Sequence, residues 1–240
     1  MKGPDRAIVL CGGEGTRLRP ITYSMPKSLI PVNGKPVVEH IFDLLKRYGV
    51  RNVIVSVGYL KEKIIAEKKN WPKYGMHFSF VEEAKPLGTA GPLRLAEAML
   101  TKTFIASNGD ELKDIDIAKM YEAHRRNRAL ATIALAKVED PSHYGIARLE
   151  GERIIEFVEK PAKDEAPSHF ASAGFYIIEP EVIRMIPENK FCMLEKDVFP
   201  RLARQGKLFG FAFSGQFFDT GTPERYELAK KKWKAIKTRI

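Results

Sequence analysis

Short apolar runs alternate with helically spaced apolar positions through the first half of the chain. Ala7–Leu10, Val53–Val57, Phe78–Val81, Thr103–Ala106 and Ala131–Ala136 read as buried strands, and Val37–Tyr48, Lys61–Lys69, Thr89–Leu100 and Ile117–Arg126 between them read as helices. In the first helix Val37, Val38, Ile41, Phe42, Leu44, Leu45 and Tyr48 recur on one face and stop at Gly49, a natural helix end, so they belong to the core. This order predicts an α/β fold, a Rossmann-like doubly wound, mostly parallel mixed sheet with helices on both faces.

After about residue 140 the pattern changes to short strands and turns: Ile146–Leu149, a turn at Glu150-Gly151, Ile154–Val158 and Ser172–Ile178, with helical pieces near Glu181–Ile186 and Glu195–Arg204. It predicts a small antiparallel elaboration on the same sheet. No Ser/Gly linker or internal repeat separates the parts, so the chain reads as one domain, 1–240. Within it we expect a lobe over about 1–135, a second over about 136–225, and a C-terminal helix over 226–240.

Composition narrows the class. With 44% hydrophobic and 29% charged residues the chain is that of an ordinary globular protein. No apolar run approaches the roughly 20 residues of a membrane helix, and residues 1–6 do not read as a signal peptide, so a cytoplasmic protein without membrane contact is expected. Cys11 and Cys192 lack a CxxC spacing and read as free thiols. The net charge of +10 raises nucleic acid as a partner, but the basic residues are dispersed. The densest group, Lys230-Lys231-Lys232 with Lys234, shares a segment with Leu228, Trp233 and Ile236 and reads as the solvated face of an amphipathic helix. Nucleic acid is not expected to bind.

The chemistry concentrates in LCGGEGTRLRPITYSMPKSLIPV, Leu10–Val32. A buried strand ending at Leu10 delivers the chain to the carboxyl edge of a parallel sheet, where ligands of such folds bind. Gly12, Gly13 and Gly15 permit positive φ and leave room for backbone N–H groups to approach an anion or a flat base. Arg17 adds a forked donor for phosphate oxygens and Lys27 a point charge. The spacing is neither GxxxxGK[ST] nor GxGxxG, because Leu18 stands where the third glycine would be.

GGEGTRLRP followed by PKSLIPV resembles the signature of the sugar-1-phosphate nucleotidyltransferases. The resemblance runs on in order through PLGTAGPL (Pro86–Leu93), NGDEL (Asn108–Leu112), HYG (His143–Gly145), FVEKP (Phe157–Pro161), SAGFYI (Ser172–Ile177), LEKDVFPRLARQGKL (Leu194–Leu208) and FFDTGTPERY (Phe217–Tyr226). It implies an enzyme in which a sugar 1-phosphate attacks the α-phosphorus of a nucleoside triphosphate, giving a nucleotide sugar and pyrophosphate. On that resemblance Arg17 and Lys27 are catalytic residues on the triphosphate. Asp110 and Asp219 are catalytic ligands of Mg²⁺, a metal that binds through one or two carboxylates plus substrate phosphates.

Leu10, Gly12, Gly13, Gly15, Thr16, Glu83 and Gly88 are expected to bind the nucleotide, and Tyr144, Gly145, Glu159, Lys160, Ala173 and Gly174 the sugar phosphate. Glu83 is the reader of the base, since a carboxylate accepts from both N1–H and the 2-amino group of guanine and repels the carbonyls of uracil or thymine. That points to GTP; a register slip would put Glu82 in its place. Ser172 stands where the family often has asparagine.

PLGTAGPL and LEKDVFP look most like mannose-1-phosphate guanylyltransferases, so GTP and mannose 1-phosphate giving GDP-mannose is the expected reaction. The alternatives are glucose-1-phosphate uridylyl- or thymidylyltransfer, guanylyltransfer to a heptose 1-phosphate, and last a silent regulatory subunit. Longer relatives carry a C-terminal β-helix; the chain ends at Ile240 without one, and no acyltransferase activity is expected. The sequence leaves homo-oligomer formation open.

Overall fold

Ala7, Ile8 and Val9 are fully buried in the strand Arg6–Leu10, the burial on both faces that a strand inside a parallel sheet requires. In the computed structural model, which describes residues 3–236, this strand pairs in parallel with Asn52–Val57, and that strand with His77–Glu82, in the register Ile8, Ile54, Ser79. The helix Val37–Arg47 ends as its sequence predicts: Gly49 has φ 77°, its N–H donates to the Lys46 carbonyl at 3.0 Å, and the Val50 N–H donates to that of Leu45 at 3.1 Å.

These strands belong to the first of two compact units, which comprises the residues up to Pro86, Ser107–Ile115 and the residues from Gly215 onward. The other unit comprises Leu87–Ala106 and Asp116–Ser214. The division does not follow the two lobes read along the sequence, because packing groups segments that the chain order separates.

Within the first unit a short antiparallel ladder, Glu111–Lys113 with Phe217–Asp219, sets Asp219 opposite Glu111 and Phe218 opposite Leu112. Thr222 then caps the helix Pro223–Lys232, its hydroxyl accepting from the Arg225 N–H at 3.4 Å. The helix expected over 226–240 therefore begins earlier and stops at Lys232; residues 237–240 lie outside the described residues. Tertiary contacts override the helical pattern at Trp233, whose indole N–H donates to His40 Nδ1 at 3.2 Å and whose carbonyl accepts from Asn33 at 2.9 Å. Its ring is buried with Leu18, Ile30, Val32, Val37, Leu112, Tyr226 and Ala229, while Leu228, expected on the apolar face, is exposed.

In the second unit Ala131–Lys137 pairs antiparallel with Phe170–Ile178 and parallel with Leu208–Ala212, and Arg153–Glu159 pairs antiparallel with Leu208–Ala212 and with Gly145–Glu150. The helix Ile117–Arg126 is capped by Asp116, which accepts from the Lys119 N–H at 3.0 Å. The helix expected over Thr89–Leu100 is shorter, Gly91–Leu95, followed by a 3-10 turn at Glu97–Met99. Pro92 sits in its first turn and Gly88, at φ 76°, keeps the preceding chain out of helical conformation. Among the described residues no helix is long and apolar enough to cross a membrane.

Candidate active site

Two different demands shape the glycine loop. Gly15 has φ 63°, and a Cβ there would stand 3.0 Å from Thr22 Cγ2 and 3.2 Å from Lys27 Cβ, so conformation and close approach both require glycine. Its carbonyl accepts from the Thr22 hydroxyl and from the Leu18 N–H, each at 2.9 Å. Of the three glycines that permit positive φ, only Gly15 uses it; Gly12 and Gly13 do not. There the Cys11 N–H donates to the Ser56 carbonyl at 2.9 Å and the Gly12 carbonyl accepts from the Tyr59 N–H at 3.2 Å.

Gly12 makes room for Glu83 instead: a Cβ would lie 2.4 Å from Glu83 Oε1 and push that carboxylate aside, whereas Gly13 has open space around it. Thr16 and Arg17 are exposed on the 3-10 turn Thr16–Leu18, and the Leu10 carbonyl accepts from the Gly109 N–H at 2.9 Å. The Cys11 thiol is buried and pushed up to about 12 by that burial, which makes it a packing group and not a nucleophile.

Lys27, 9% exposed, begins the 3-10 turn Lys27–Leu29. Its ammonium donates to Asp110 Oδ2 and lies 3.9 Å from Asp219 Oδ1. Asp219 Oδ2 accepts from Arg225 Nη1 at 2.6 Å, and the Thr220 hydroxyl donates to the Asp110 carbonyl at 2.7 Å. Arg17 reaches the same place: a Cβ on Gly221 would stand 2.8 Å from Asp219 Oδ1 and 3.1 Å from Arg17 Nη2. All four residues expected to be catalytic thus converge, and the Glu111–Asp219 register is what joins the two aspartates.

Burial opposes the charges of Lys27, Asp110, Glu111 and Lys113, and the partners outweigh it at the first two only. Lys27 would be lowered by burial, but Asp110, Asp219 and Glu111 hold it above the ordinary lysine value. Asp110 would be raised by burial, but the Lys27 charge and hydrogen bond, with Lys113, hold it below the usual aspartate value. Glu111 is driven up by burial, with repulsion from Asp110 and Asp219 only partly offset by Lys113. Lys113, fully buried on its side chain, sits 3.1 Å from Glu111 Oε2 and is itself lowered by burial. Sequence reading misses Glu111, Lys113 and Arg225; the one signal for Glu111 is its place after Asp110 in NGDEL.

Glu83 follows the strand His77–Glu82 and turns toward Gly12, with Oε1 accepting from the Ser56 hydroxyl at 2.9 Å. Glu82 points elsewhere and pairs with Lys61 at 2.8 Å on the surface, so of the two acids only Glu83 adjoins the glycine loop.

The second unit holds the residues expected to bind the sugar phosphate. Gly145 pairs with Glu159 across two antiparallel strands, and a Cβ on it would stand 2.8 Å from Glu159 Oε2 and 2.4 Å from Phe157 Cζ. Lys160, at φ 50°, donates its N–H to the Tyr144 carbonyl at 3.0 Å and places Nζ 3.2 Å from Glu159 Oε1. Glu159 is nearly buried and Lys160 half exposed. Ala173 is fully buried, and Gly174, at φ 55°, donates its N–H to Ser172 Oγ at 3.3 Å. Gly88, expected with the nucleotide residues, belongs to this unit; a Cβ there would meet the Cys192 carbonyl oxygen at 2.4 Å.

Residues 6–235 match the family described as Nucleotidyl transferase. The chain belongs to that family. Among similar proteins, a mannose-1-phosphate guanyltransferase of Yarrowia lipolytica is 39% identical over 227 residues, and the mannose-1-phosphate guanylyltransferase catalytic subunit beta of Danio rerio 37% identical over 227. Each match covers 92% of this chain and 62% of the relative, so the chain spans less than two thirds of their length. The nucleotidyl transferase fold is found again in a crystal structure from Bacillus anthracis described as a candidate glucose-1-phosphate thymidylyltransferase. It has a TM-score of 0.87 and 26% identity, covering 97% of this chain and 98% of that one.

Proposed function

We propose that this protein transfers GMP from GTP to mannose 1-phosphate, in the cytoplasm, giving GDP-mannose and pyrophosphate. The observation that carries the reading is the convergence of Arg17, Lys27, Asp110 and Asp219 in a family whose similar members include enzymes named for this reaction. An oxygen of the sugar's phosphate attacks the α-phosphorus, the bond from that phosphorus to the β-bridging oxygen breaks, and its electron pair leaves with pyrophosphate. The nucleophile is already ionised, so no general base is needed, and catalysis consists of orientation and charge neutralisation.

In this reading Arg17 and Lys27 bind and orient the triphosphate. Asp110 and Asp219 would hold Mg²⁺. The donor set fits: Asp110 and Asp219 bring two hard carboxylates to one ammonium, and Mg²⁺ binds through one or two carboxylates plus substrate phosphates. When bound, Mg²⁺ supplies neutralisation of the phosphate charge. Glu83, beside Gly12, reads the guanine edge, and Glu159 and Lys160 hold the sugar's hydroxyls and phosphate.

The test is pyrophosphate release with GTP, UTP, dTTP, ATP and CTP, each against mannose, glucose, N-acetylglucosamine and galactose 1-phosphates with Mg²⁺. GTP with mannose 1-phosphate should dominate. A dominant UTP or dTTP with glucose 1-phosphate would overturn the specificity and keep the chemistry, and no release from folded protein with any pair would overturn both.

A further inference from the structure

Glu195 is a buried carboxylate that the proposed chemistry does not use. It is 6% exposed, in the π-helical turn Leu194–Val198, a form frequently found at functional sites. Both its oxygens accept hydrogen bonds from neutral hydroxyls: Oε1 from Tyr176 at 3.0 Å and Oε2 from Thr89. Burial holds its carboxyl above the usual glutamate value, and Glu159 faces it with like charge. A core position has no use for such a group, since burying a carboxylate without a cation is costly.

Its two partners lead in different directions. Thr89 follows Gly88, and hydrogen bonds fasten the segment Leu87–Ala90 to Cys192–Glu195. The Cys192 N–H donates to Leu87 and the Ala90 N–H to Cys192, both at 3.0 Å; the Leu194 N–H donates to Thr89 Oγ1 at 2.9 Å; and Thr89 Oγ1 donates to Glu195. Tyr176 lies on the strand that carries Ala173 and Gly174, and its hydroxyl accepts from Ser172 at 3.4 Å. The Tyr176 ring packs on Phe199 at 5.0 Å, and Phe199 packs on Phe157 at 5.6 Å, the ring beside Gly145 and Glu159.

We propose that Glu195 is a positioning residue that clamps the Gly88 loop to the strand lining the sugar-phosphate subsite, so that one side chain sets the loop assigned to the nucleotide and the wall assigned to the sugar. The proposal rests on the reaction given above. It explains why glutamate stands there: a carboxylate offers an acceptor to each hydroxyl, whereas a glutamine offers only one.

Glu195→Gln, Thr89→Val and Thr89→Ser, with the double variant of the first two, test the clamp at the substrate pair the wild type uses best. Glu195→Gln and Thr89→Val should each raise KM for the sugar 1-phosphate by about tenfold or more, with a smaller loss in kcat, and the double variant should be no worse than the poorer single one. Thr89→Ser should stay near wild type. A wild-type KM in Glu195→Gln, or effects of the two substitutions that multiply, would overturn the proposal; should Glu195→Gln not fold, Thr89→Val decides alone against Thr89→Ser.

Amide hydrogen exchange of the ligand-free protein separates this from failure of the reaction itself. Exchange at Leu87–Ala90 should be about tenfold faster in Thr89→Val than in Thr89→Ser even if no sugar phosphate is turned over. Equal exchange in the two would remove the clamp whatever the substrate.

Discussion

The ammonium of Lys27 is hydrogen-bonded to the carboxylate of Asp110 although 83 positions of chain separate them. Each holds the other's charge against burial, and Asp219 lies within 3.9 Å of the same ammonium. The lysine is therefore the internal counterion of a site whose carboxylates suit a divalent cation.

Lys27→Ala should expose that dependence through pH. Asp110 is held below its ordinary pKa in the fold, so its contribution to stability is present above the unfolded value of about 3.9 and is lost as pH falls through the folded one. Without Lys27, burial would move the carboxyl upward, and acid unfolding followed by circular dichroism should have its midpoint at higher pH. At neutral pH the variant's thermal midpoint should fall and recover with millimolar Mg²⁺ more than the wild type's does. An unshifted acid midpoint would assign the charge balance to Lys113.

Asp110→Ala and Asp219→Ala should each lower turnover by roughly a hundredfold or more at saturating substrates while the circular dichroism spectrum is kept. Near-normal turnover at low Mg²⁺ in either variant would remove that residue from the metal site.

Much of this was legible before the fold was known, for reasons particular to each residue. The buried strands at Ala7, Val53 and Ala131 and the helix from Val37 announce themselves because burial on one or two faces fixes the spacing of apolar residues over several positions. The ladder of Glu111–Lys113 with Phe217–Asp219 leaves no such trace: each strand is three residues long and its partner lies more than a hundred positions away. Glu111 and Lys113 were hidden with it, since an acid or a base in a short polar segment looks like surface until the pairing buries it, and Arg225, on the following helix, shows its role only once Asp219 is beside it. Gly12 shows a subtler limit. Its glycine was readable, but the reason, room for Glu83 and not a left-handed turn, depends on a neighbour 71 positions on.

Glu83→Gln should lower the ratio of kcat/KM for GTP to that for UTP by about tenfold, because an amide cannot accept from both guanine donors. Gly12→Ala should disturb the same ratio through displacement of the Glu83 carboxylate. If the ratio is unchanged in Glu83→Gln, the base is read by other groups.

His40 offers a milder pH response. Its Nε2 faces the Val32 carbonyl at 3.0 Å and its Nδ1 accepts from Trp233, an arrangement that needs the neutral ring, and burial lowers its pKa. A group depressed in the fold gives stability above its unfolded value of about 6.5 that is lost as pH falls through the folded one. In Trp71→Phe protein, the emission of Trp233 should change reversibly as pH is lowered from 7 toward 5, and His40→Phe should abolish the change. A flat emission profile in the histidine protein would show that the contact outlasts protonation.

The chain leaves the first unit after Pro86, returns for Ser107–Ile115, and comes back again at Gly215. A ribosome therefore finishes the second unit as far as Ser214 before it supplies Asp219, and Asp110 must wait, already made, for its partner. A fragment released before Gly215 would carry Glu159, Lys160 and Glu195 but lack both Asp219 and Arg225. Any quality control that samples nascent chains would meet it with the second unit's residues all made and the Glu111–Asp219 pairing of the first still unformed.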